Sequence, residues 1–62
     1  MIVKKTYGKN DYIILNECEI ENWDGKDVII GKVIELEDPD GYFKLGQLAV
    51  ITMSNLVEVL SE

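Results

Sequence analysis

The sequence predicts an all-β fold, either a small barrel or a strongly curved antiparallel sheet of four to five strands. Three observations carry that expectation. Apolar residues recur closer to every second position than to the helical period over most of the chain. Tight-turn signals, Asp24-Gly25 and Asp38-Pro39-Asp40-Gly41 among them, divide it into short segments. Gly31 stands inside a long strand-like segment, where a glycine marks a bulge or a tight bend.

Residues 2–7 form the first strand candidate. Gly8-Lys9-Asn10-Asp11 is a turn, because Gly and Asn tolerate positive φ and Asp can bond its own backbone. Residues 12–20 form the second strand. Tyr12, Ile13, Ile14 and Leu15 are apolar on both faces, and the rest alternates, with Cys18 and Ile20 opposite Glu17 and Glu19. Residues 21–25 read as a loop, with Asp24-Gly25 as the hairpin signal. Residues 26–36 make a long third strand around Gly31. In the turn that follows, Pro39 presets φ and Gly41 supplies the left-handed position. Residues 42–45 begin a fourth strand, Gly46-Gln47 interrupts it, and residues 48–53 resume an apolar run. The last nine residues suit two outcomes. Ser54 can cap a short C-terminal helix, whereas Val57 and Val59 favour a strand, and the strand is preferred.

The segment Ser54-Asn55-Leu56-Val57-Glu58-Val59-Leu60 resembles the closing segment of SH3-like small β-barrels, where a short 3₁₀ turn with a Ser-Asn pair leads into the last strand. With residues 46–53, of which 46–52 match the strand entering that turn, the resemblance covers about a quarter of the chain and implies a barrel topology. The aromatic and acidic loop and the adjacent tryptophan pair of true SH3 domains are missing, so proline-rich peptide binding is not implied. Residues 1–62 are read as a single domain.

Composition narrows the function classes. The chain has no His, no Arg and one Cys, Cys18. That removes the usual general base, the nucleophile–base pair, the common Zn²⁺ ligand sets and the bidentate phosphate clamp. An enzyme is not expected, nor is a cofactor or a metal. Twelve Asp and Glu against six Lys give a net charge of −6, the reverse of a phosphate-binding balance. Neither a signal peptide nor a membrane span is read, and a lone thiol fits a reducing cytoplasm. A chain of 62 residues without a covalent staple buries only about 60% of the surface its unfolded form exposes, so a homo-oligomer is expected.

The leading expectation is a non-catalytic, acidic protein-interaction module whose partner has a basic surface. Small size, acidity and a composition with Lys but no Arg and many Ile and Asn, as an A+T-rich genome encodes, are similar in type to phage or mobile-element inhibitors of host nucleic-acid-handling enzymes, including anti-CRISPR and DNA-mimic proteins. The interface candidates are Trp23, Asp24, Glu37, Asp38, Asp40 and Tyr42: a rigid aromatic on a turn, and carboxylates that steer a basic partner. The alternative is an oligomeric nucleic-acid-binding β protein using Lys4, Lys5 and Lys9 with Tyr7 and Tyr12 as a stacking-plus-charge patch. The plainer account of those lysines is protection of an edge strand. A second alternative is a structural subunit of a larger assembly.

Overall fold

A computed structural model describes residues 1–62. It holds five strands and no helix: β1 (Ile2–Thr6), β2 (Tyr12–Trp23), β3 (Lys26–Glu37), β4 (Leu48–Thr52) and β5 (Val57–Ser61). They form one antiparallel sheet in the order β4-β3-β2-β1-β5. Val3, Ile13, Leu15, Ile29, Val33, Ala49 and Ile51 make the core, with Met1, Cys18, Leu36, Phe43 and Val57 packed around it.

The sheet curls over this core without closing into a barrel. Lys5 on β1 donates from Nζ to the Thr52 carbonyl at the end of β4, at 3.1 Å. Three strand spacings separate those strands in the sheet order, about 14 Å if the sheet were flat, so the contact requires strong curvature. β4 and β5 remain unpaired with each other. The turn between them, where the Val57 N–H donates to the Ser54 carbonyl (3.2 Å) and the Leu56 N–H to Ser54 Oγ (3.2 Å), sends β5 to β1 instead. Of the two expected forms the curved sheet is the one observed. Ser54 does act as a cap, but of a turn that leads into a strand rather than of a helix.

Two irregularities in the β2–β3 ladder bend the sheet. Asn16 pairs with Lys32 and Glu19 with Ile30, so Glu17 and Cys18 together oppose Gly31. Glu17 takes φ 55 at this bulge, and its N–H donates to Asn16 Oδ1 at 2.8 Å. A Cβ on Gly31 would lie 2.7 Å from Cys18 Sγ and 2.9 Å from Leu15 Cβ, so only glycine permits the close approach. The second bulge leaves Ile34 without a partner, between the pairs Leu15–Val33 and Ile14–Glu35. The first bulge also breaks the simple alternation expected of β2: Cys18 reaches the core, while Ile20 is 53% exposed. In the first half of β2, Ile13 and Leu15 are fully buried, whereas Tyr12 and Ile14 on the other face are half-buried.

Two segment boundaries differ from expectation. β2 runs on to Trp23, because the turn consumes only Asp24 and Gly25, both at positive φ (53 and 82). That two-residue primed turn matches the twist of the flanking strands and keeps Trp23 paired with Lys26 and Asn22 with Asp27. Residues 42–45 are not a strand. The Phe43 N–H is taken by the Asp38 carboxylate (2.8 Å), which holds the segment in a loop between β3 and β4.

Candidate functional site

In an up-and-down sheet alternate turns share an end. The β1–β2 turn and the β3–β4 loop therefore meet, and between them lies a groove of about 480 Å³ lined by Tyr7, Asp11, Asp38, Asp40, Tyr42 and Phe43. Each wall is fixed locally. On one side the Tyr7 N–H donates to the Asp11 carbonyl at 2.8 Å, closing the first turn. On the other, the Gly41 N–H donates to the Asp38 carbonyl at 3.1 Å, with Pro39 and Asp40 as the central turn residues and Gly41 at φ 75. The Asp38 side chain then receives the Phe43 N–H, and Phe43 packs on the core edge.

The two walls join through their rings. Tyr7 and Phe43 stack with centroids 5.6 Å apart and an interplanar angle of 29°. Burial, and then the negative charge of Asp38, raise the Tyr7 hydroxyl above the ordinary tyrosine pKa. Tyr42 stands outside this stack, 79% exposed. Three aromatic surfaces and three carboxylates thus converge on one groove. Ring faces and carboxylates both attract cations, the first through the ring quadrupole and the second by charge and hydrogen bonding. No cluster of three or more acidic or thiol side chains has the spacing to hold a metal ion.

The candidates named from sequence divide by place. Asp38, Asp40 and Tyr42 lie in the groove, and Glu37 ends β3 beside it. Trp23 and Asp24 sit at the opposite end of the β2–β3 hairpin, since Tyr12 pairs with Glu37 at one end of the ladder and Trp23 with Lys26 at the other. Trp23 is 49% exposed and donates from Nε1 to Glu21 at 3.0 Å. It therefore does not share a surface with the acidic turn. Asp11 and Phe43 were missed as site residues. The alternation of turns in a meander was the signal that could have found Asp11.

The lysines divide as well. Lys4 and Lys5 are neighbours on β1 and project to opposite faces. Lys4 Nζ lies 4.5 Å from the Tyr12 ring centroid and shares a shallow depression of about 370 Å³ with Thr6, Lys9, Asn10, Asp11 and Tyr12. Tyr12 donates its hydroxyl to Glu35 Oε2 at 2.7 Å, and that hydrogen bond is the main cause of its raised pKa. Lys5 instead lies 5.5 Å from the Tyr7 ring and donates to Thr52. Burial raises the Cys18 thiol pKa, which disfavours the thiolate a nucleophile would need.

No helix is long and apolar enough to cross a membrane. No protein-family model, no curated protein and no solved structure matches the chain. Fold and groove define a small all-β domain with an aromatic, acidic cleft.

Proposed function

We propose that this domain is a non-catalytic, acidic protein-interaction module, and that its groove receives a cationic side chain, Lys or Arg, from a partner with a basic surface. One observation carries the reading: Tyr7, Tyr42 and Phe43 meet Asp11, Asp38 and Asp40 in a single groove of a chain with net charge −6. The rings supply a stacking face, and the carboxylates supply hydrogen-bond acceptors and steering charge. The strand order, with a short turn before the last strand, supports an SH3-like arrangement opened at the β4–β5 seam. Small size and acidity extend the reading to an inhibitor of the phage or mobile-element type, docking on the basic surface of a nucleic-acid-handling enzyme. Self-association belongs to the same reading, because so short a chain has no covalent staple.

The test is a titration of the labelled domain with a short Lys/Arg-rich peptide, followed by NMR. Ring signals of Tyr7, Tyr42 and Phe43 should move, and the shifts should shrink as salt rises. Shifts confined to other faces, or none at millimolar peptide, would overturn the assignment of the groove.

The depression formed by Lys4, Lys9 and Tyr12 favours a second reading, weak binding of single-stranded nucleic acid. Titration with oligo-dT separates the two. Binding that is lost in Lys4→Ala but unaffected by Asp38→Asn supports this second reading.

A further inference from the structure

We infer that the free edge of β4 is a self-pairing surface, on which a second copy of this chain adds its own β4 antiparallel, centred on Val50. This deepens the self-association reading above by naming the surface and its geometry.

The hydrogen-bond pattern shows which backbone groups are free. The Met53 N–H donates to the Asp27 carbonyl (3.1 Å) and the Val33 N–H to the Gln47 carbonyl (2.9 Å). Within the register of β3 and β4, those bonds place the hydrogen-bonded pairs at Ile29–Ile51 and Gly31–Ala49. Leu48, Val50 and Thr52 therefore turn their N–H and C=O groups away from β3, towards the open edge. The Thr52 carbonyl accepts from Lys5, which leaves it a second lone pair. In an antiparallel two-fold pairing, Val50 exchanges both bonds with the partner's Val50, and Leu48 lies opposite the partner's Thr52.

Side chains and charge select the same edge. Native sheets usually guard free edges with charged residues, Pro or bulges. β4 is Leu-Ala-Val-Ile-Thr, uncharged and without Pro, and its pairing with β3 is regular. The other free edge, β5, carries Glu58 and a register irregularity against β1. Two copies at −6 each repel, but β4 itself carries no charge, and the one charged group on its edge, the Lys5 ammonium at the Thr52 carbonyl, is opposite in sign to the net charge. Leu48 and Val50 are 72% and 46% exposed, and side-by-side pairing would cover both while Ala49 and Ile51 stay in the core.

Sedimentation velocity on the full chain from micromolar to millimolar, with a thermal melt on each variant, tests the inference. The wild type should move from 7.0 kDa towards twice that mass. Val50→Lys sets two ammonium groups against each other across the two-fold axis and should weaken the dimer about 100-fold. Val50→Thr keeps the β-branched shape and should stay within a few-fold. Leu60→Lys, on the opposite edge, should leave the mass curve unchanged. The Val50 amide should gain hydrogen-exchange protection as concentration rises. A dimer that persists in a folded Val50→Lys variant would place self-association on another surface and overturn the edge assignment alone. A monomer at millimolar concentration would overturn both the edge and self-association.

Discussion

Gly31 and Cys18 face each other so closely across the β2 bulge that a Cβ at position 31 would lie 2.7 Å from the sulfur. Because Leu15 Cβ and the Asn16 carbonyl crowd the same point at 2.9 and 3.1 Å, two of the three obstacles belong to a fully buried side chain and to backbone. Gly31→Ala should therefore destabilise the domain by about 2 kcal/mol or more, as overpacking does in a tight core. Cys18→Ala combined with Gly31→Ala should recover only part of that loss. Chemical denaturation of the two single variants and the double variant measures the coupling. Full recovery would mean that the sulfur is the sole obstacle.

The hydrogen bond from Lys5 to the Thr52 carbonyl crosses the open seam of the sheet. Lys5→Met keeps the aliphatic stem and removes the donor. A loss of about 1 kcal/mol is expected, with earlier hydrogen exchange at the end of β4 than elsewhere. A uniform change over the whole sheet would show that Lys5 does not hold the curl.

Tyr42 and Phe43 are adjacent but belong to different parts of the molecule. Phe43 packs on the core and stacks on Tyr7, whereas Tyr42 is 79% exposed. Phe43→Ala should lower the melting temperature and disturb the groove together. Tyr42→Ala should leave the melt within about 0.5 kcal/mol of wild type and still weaken a basic peptide several-fold. If both variants melt and bind alike, the division of roles is wrong.

Trp23 lies at the far end of the β2–β3 ladder from the groove. Trp23→Ala should leave basic-peptide binding unchanged while altering the melt. A loss of peptide affinity without loss of stability would return Trp23 to the interface.

Tyr7 and Tyr12 both have pKa values raised in the folded protein, Tyr7 chiefly by burial and Tyr12 chiefly by its hydrogen bond to Glu35. A raised pKa means that the folded state holds the proton more tightly than the unfolded state. The resulting stability is fully present below the ordinary tyrosine value near 10 and is lost as pH rises through the folded values. Thermal melts from pH 8 to 11 should show this alkaline decline. Tyr7→Phe keeps the stack on Phe43 and should flatten the decline in part. An unchanged pH profile in that variant would show that Tyr7 carries none of the effect.

Local chemistry in the sequence determined the strands and turns. A period near two over most of the chain marked the strands, and Asp24-Gly25 and Pro39-Asp40-Gly41 are turns because their residues accept the backbone angles that turns demand. Gly31 was legible as an irregularity, but its partner in the bulge was not. A bulge is a matter of register, and register depends on which residues of β2 lie opposite β3. The loop at residues 42–45 was hidden for a similar reason: the Asp38 carboxylate takes the Phe43 N–H that a ladder would have used. Only the tertiary structure decided that Tyr7 and Asp11 face Asp38, Asp40, Tyr42 and Phe43 while Trp23 lies away from them. The groove walls come from turns about thirty residues apart, and the curl of one sheet over its core brings them together.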